Sequence, residues 1–112
     1  MPEPSSDERR VFPRRASDIQ ATLSHEDRSM EGVVENIGEG GVFFATETLE
    51  FLLDHGAQVS VKFNCLRAGV TEAHKLPGTI LRTERYFDGT KVVRAFAVKF
   101  DDLFDLEGVA LI

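Results

Sequence analysis

Four arginines fall within the seven residues Arg9-Arg10-Val11-Phe12-Pro13-Arg14-Arg15, with no acidic residue among them. An arginine presents a planar fork that donates two parallel hydrogen bonds to a phosphate, and its flat cation stacks on a purine face. Pro13 restrains helix formation and biases Phe12 toward extended chain, so Arg10 and Arg14 can bracket a compact ligand rather than form one local cluster. About twenty residues later comes a second segment, Asn36-Ile37-Gly38-Glu39-Gly40-Gly41. The Asn36 amide carries both a donor and an acceptor and suits the edge of a base. Gly38, Gly40 and Gly41 allow close backbone approach and can turn N–H groups toward an anion. Each segment alone is ordinary, since basic arms are commonly solvated and glycine turns commonly close hairpins. Both together describe a mobile basic arm set against a fixed turn, chemistry that fits a ligand combining phosphates with bases.

The rest of the chain narrows the partner. The sequence has 112 residues and a formal net charge of -6. Residues 1–15 hold four basic and three acidic groups, which leaves nine basic against sixteen acidic in the remainder. Duplex nucleic acid and anionic membranes require an extended basic surface, so an acidic body disfavours both, and one concentrated basic stretch suits a small anion better. With 42% hydrophobic residues the chain reads as one globular domain with a modest core. The nine phenylalanines are ordinary core material and name no ligand. Cys65 is the single cysteine and cannot form an intrachain disulfide, so a reducing cytosol is expected. His25, His55 and His74 lie far apart without metal-ligand spacing and read as solvated loop residues, with no metal site expected. No apolar run has signal-peptide character or membrane-spanning length, so a cytoplasmic protein without membrane insertion is expected.

The elements that must position these residues are strands. Residues 1–8 read as a disordered, proline-containing leader, and the domain proper as 9–112. Ile19 to Leu23 alternates apolar and polar, Asp27 and Arg28 form a turn, and Gly32 to Ile37 gives a second strand. Val42 to Thr46 is β-rich. The spacing of Leu49, Leu52 and Leu53 allows a single helical turn before Gly56. Gln58 to Phe63 alternates again, a loop is expected from Leu66 to Gly78, and Thr79 to Tyr86 and Lys91 to Phe100 flank the Asp88-Gly89 hairpin signal. Asp101-Asp102 could cap a short C-terminal helix carrying Leu103, Phe104, Leu106 and Val109 to Ile112. The expectation is an all-β fold, a small antiparallel six-stranded β-barrel with a short C-terminal helix.

On these residues the chain resembles the PilZ domain family, bacterial receptors for cyclic di-GMP. That family carries Arg-x-x-x-Arg ahead of its first strand, and Arg10 to Arg14 matches it in full. A second motif of Asp or Asn, any residue, Ser, two of any residue, then Gly is matched at Asn36 and Gly41. The family's Ser is Gly38 here, so one hydroxyl that could bond the ligand is missing. The resemblance runs from about Glu8 to Ile112 and implies a receptor without a cofactor of its own. By that resemblance Arg10 and Arg14 contact phosphate and guanine, Arg9 and Arg15 assist, Asn36 contacts a base, and Gly40 and Gly41 permit close approach. Arg9 just before the motif implies a stacked pair of ligand molecules as readily as one. Signalling in trans to an effector protein follows, since no output domain is recognised. The alternative is a protein-interaction module that no longer binds the dinucleotide. Enzymatic activity is not expected: no nucleophile, metal set or carboxylate pair has a catalytic spacing, Glu35 and Glu39 read as solvated, and no pocket for chemistry is apparent.

Overall fold

The computed structural model describes the backbone of residues 14–48, 53–87 and 89–110, and the side chains of these from Ile19 onward. The alternating runs form seven strands: β1 (Arg14–His25), β2 (Arg28–Gly38), β3 (Gly41–Thr46), β4 (Gln58–Arg67), β5 (Val70–Phe87), β6 (Val92–Phe100) and β7 (Val109–Ala110). They lie in one antiparallel sheet of order β1-β2-β3-β6-β5-β4-β7. β1 also pairs with β4 over Ala21 to Ser24, so the pairings of the six long strands return on themselves. The all-β antiparallel architecture expected from the sequence is therefore present.

Alternation places one side chain in two toward the middle of this circuit. Leu23, Val34, Ile37, Val42, Phe44, Val61, Ile80 and Phe96 are fully buried there. Phe44 and Phe96 are the largest of them and face each other across the β3–β6 ladder. Burying each contributes roughly 2–3 kcal/mol of hydrophobic free energy. β6 lies between β3 and β5 and is buried on both faces, because Val93 and Ala95 pack outward with Ala45, Phe43 and Tyr86 in a second, smaller cluster. Its sequence is accordingly apolar at both parities, where a half-buried strand would alternate.

Two expected elements are different in the structure. No loop spans Leu66 to Gly78. β4 runs on to Arg67, turns through Ala68 (φ 51°) and Gly69 (φ 79°), and returns as β5 in register from Val70. Two consecutive left-handed residues are what a tight hairpin needs, and that twist matches the flanking strands. Pro77 is tolerated because it lies just before Gly78, where the β5–β6 pairing begins, and its carbonyl accepts a hydrogen bond from Asp101 N.

The second correction is the C-terminus. Residues 101–108 are irregular and lead into β7, which pairs with the end of β4; no helix forms among the described residues. Three interactions outweigh the helical pattern. Phe104 is buried against Phe63 and Phe100, Arg67 holds the carbonyls of Asp105 and Glu107, and Gly108 sits at φ 75°. A helix would use those carbonyls itself. The leader at 1–8 and Leu49 and Leu52 of the expected helical turn lie outside the described residues. After them, Asp54 to Ala57 form a turn, with Gly56 at φ 91°.

Candidate functional site

The two motif segments meet at one end of the β1–β2 ladder. Arg14 and Arg15 open β1, and their Cα partners are Gly38 and Ile37; Ala16 stands opposite Asn36. The ladder slips between Ala16 and Ile19, a bulge that sets this end of β1 apart from the regular pairing below it. Arg9 and Arg10 lie outside the described residues. Two strands remote in the motif pattern are thus brought together by backbone pairing alone.

The turn itself is tight. Gly38 pairs with Gly41, leaving Glu39 and Gly40 as its two central residues. Neither of these is in the left-handed region. The Glu39 carbonyl accepts from Phe104 N at 2.7 Å and the Gly40 carbonyl from Phe100 N at 2.8 Å, so the C-terminal segment braces the turn from behind. Gly41 has a packing reason to be glycine, since a Cβ there would stand 2.1 Å from the Val98 carbonyl oxygen of β6. Gly38 belongs to the extended end of β2 and carries no positive φ. Asn36, half-buried, follows a bulge at Glu35 that shifts the β2–β3 register between Val34 and Asn36.

Glu35 is not a solvated carboxylate, contrary to the sequence-based expectation. The Tyr86 hydroxyl lies 2.9 Å from each of its oxygens and donates to the carboxylate. The pair lines an open groove of about 580 Å³ together with Gln20, Glu31, Thr46 and Lys91, so a pocket exists where none was expected. Three glutamates, Glu31, Glu35 and Glu47, against one lysine make that groove unsuited to phosphate.

His55 lies exposed in a turn, as expected, but His25 and His74 are half-buried strand residues rather than solvated loop residues. His25 ends β1 and its Nδ1 lies 2.8 Å from the Gln58 carbonyl. His74 is half-buried in β5, its ring 4.8 Å from Phe104 and 5.7 Å from Phe63. Its Nε2 is 3.1 Å from Glu72 Oε1, which also accepts from Arg67 Nε at 3.0 Å. Those hydrogen bonds, from Arg67 first and then His74, hold the Glu72 carboxyl below its usual range. Burial and the neighbouring Glu72 charge push the Cys65 thiol up. No local signal points to the cluster, because Val70 to Leu76 carries polar residues at both parities and does not alternate.

A PilZ domain model matches residues 8–108, which take in the arginine run, the turn and β1 to β6. The chain belongs to the PilZ domain family. No curated protein matches the sequence. Solved structures share the fold. The Bacillus subtilis inhibitor of motility MotI/DgrA is 12% identical with a TM-score of 0.72, over 88% of this chain and 46% of that one. The PilZ domain of YcgR from Escherichia coli, solved with c-di-GMP, is 13% identical with a TM-score of 0.64, over 83% of this chain and 78% of that one. PlzA of Borreliella burgdorferi, in complex with c-di-GMP, is 8% identical with a TM-score of 0.62, over 85% of this chain and 46% of that one. The chain therefore spans about half the length of MotI/DgrA and of PlzA.

Proposed function

We propose that this chain is a cyclic di-GMP receptor that takes the dinucleotide between its arginine run and the β2–β3 turn. The observation that carries the reading is the register of Arg14 opposite Gly38, which joins the two halves of the family signature at one edge of the sheet. Membership of the PilZ family and the c-di-GMP named for YcgR and PlzA support it. In this reading the closed circuit of six strands is a small barrel and the site lies at its rim.

Arg10 and Arg14 engage phosphate and guanine, with Arg9 and Arg15 assisting. Asn36 takes a base edge, and Gly38, Gly40 and Gly41 let the ligand approach the backbone. Arg9 beside the motif fits a stacked pair of dinucleotides, although one molecule would satisfy Arg10 and Arg14. Binding folds residues 9–13 onto the rim beside Arg14 and Arg15 of β1, and an effector protein reads the new surface, so the output is delivered in trans. The role is that of a receptor rather than an enzyme, working in the cytoplasm, without a cofactor and without duplex nucleic acid or membrane insertion.

Gly38 favours one second reading. Without the family's hydroxyl the chain would act as an interaction module blind to the dinucleotide. Calorimetric titration with cyclic di-GMP separates the two: saturable binding at micromolar or tighter affinity supports the receptor, and no heat at roughly millimolar ligand supports the module.

A further inference from the structure

On the β4–β5 hairpin, Cys65 stands opposite Glu72 and Phe63 opposite His74. Directly opposed residues share a face, and residues two apart on a strand share it too. The tight turn at Ala68-Gly69 therefore puts a thiol, a carboxylate and an imidazole on one side of the hairpin. Their donor atoms all lie within 4.8 Å of one another. We propose that Cys65, Glu72 and His74 form a binding site for a thiophilic divalent cation of the zinc class, with a fourth position left to solvent.

The donor set fits that ion. Zinc accepts sulfur, imidazole nitrogen and carboxylate oxygen, and its bond lengths of about 2.0–2.3 Å put tetrahedral donors roughly 3.3–3.8 Å apart. Side-chain rotation of about an ångström closes the difference, with the backbone already set by the hairpin. The Cys65 thiolate and the Glu72 carboxylate bring two negative charges to the ion, the carboxylate sharing its charge with Arg67, and the Cys65 thiol proton passes to solvent as the sulfur–metal bond forms. The Glu72 side chain is 34% exposed and that of His74 22%, which gives an ion a way in, while buried Cys65 supplies the inner wall.

The surroundings orient these donors. Arg67 holds Glu72 Oε1, so the other carboxylate oxygen is the one offered to a metal, and the His74 Nε2 contact with Oε1 opens as the imidazole coordinates; Arg67 is itself fixed by the carbonyls of Asp105 and Glu107. Phe63 and Phe104 confine the imidazole. A plain Arg67–Glu72–His74 hydrogen-bond chain would use two of the three groups and leave the thiol without a role beyond packing.

The test uses the full chain freed of metal by a chelator. Zinc is titrated against a chromogenic chelator, and cobalt serves as a spectroscopic probe. One equivalent should bind, the melting temperature should rise, and cobalt should give a thiolate-to-metal charge-transfer band. Loss of an outer partner of a metal ligand costs about 10–100-fold in affinity, so His74→Ala and Cys65→Ala should each cost at least about that. His55→Ala, in an exposed turn, should change nothing. The absence of a thiolate band in the wild-type cobalt complex would overturn the proposal even if a variant failed to fold. Unchanged zinc affinity in folded Cys65→Ala would overturn it equally.

Discussion

Arg14 stands opposite Gly38 in the β1–β2 ladder. Arg14 and Arg15 of the basic segment thus belong to a strand of the sheet. A ligand held by both halves would be gripped from a fixed edge on one side and from the preceding chain on the other.

Arg14→Ala and Arg10→Ala should each weaken cyclic di-GMP binding by about 1.5–3 kcal/mol, the value of a charge-assisted contact. Calorimetry gives the affinity and thermal melting the stability. Normal binding by either folded variant would remove that arginine from the site.

Gly38→Ser should tighten binding by about 1 kcal/mol, the worth of one neutral hydrogen bond. The backbone there lies in a strand without positive φ, so a side chain introduces no left-handed strain. Paired measurements of melting temperature and Kd decide. Weaker binding at unchanged stability would show that a missing hydroxyl does not limit this site.

Gly41→Ala should lower stability by about 3 kcal/mol, the upper range for overpacking, because the added carbon meets the Val98 carbonyl rather than a flexible side chain. Urea denaturation reads the change. A variant as stable as the parent would mean that β3 does not approach β6 as closely as described.

Glu72 couples stability to pH. Its carboxyl is depressed in the folded chain by the hydrogen bonds from Arg67 and then His74. Such a group adds stability above its unfolded value of about 4.5, and that contribution is lost as pH falls through the folded value. The melting temperature of the parent should therefore fall more steeply on acidification below that point than that of Glu72→Gln. Parallel curves would contradict the linkage.

Much of the fold was legible in the sequence because strand period and turn residues are local signals. The alternation at Ile19 to Leu23 and Gln58 to Phe63 lies in β1 and β4, and the apolar run from Val92 after the Asp88-Gly89 turn signal forms β6. The second half of the β4–β5 hairpin was not legible, since Val70 to Leu76 carries polar residues at both parities and its turn is Ala-Gly rather than a standard hairpin pair. The C-terminal segment misled because its helical spacing is real, while the forces that override it come from Arg67 and Phe63, far away in sequence. At the candidate site the motif spacing was readable. The pairing of Arg14 with Gly38, the packing demand on Gly41 and the Tyr86–Glu35 contact depend on which strands become neighbours, which no local pattern states.

The central claim is that this chain binds cyclic di-GMP, and calorimetric titration of the full chain tests it most directly. The account predicts saturable heat at micromolar or tighter affinity, with a stoichiometry of one or two dinucleotides per chain and loss of the signal when Arg10 and Arg14 are both replaced by alanine. No heat and no thermal shift at roughly millimolar dinucleotide, where binding weaker than about -4 kcal/mol would still escape notice, would contradict it and leave the fold serving protein contacts alone.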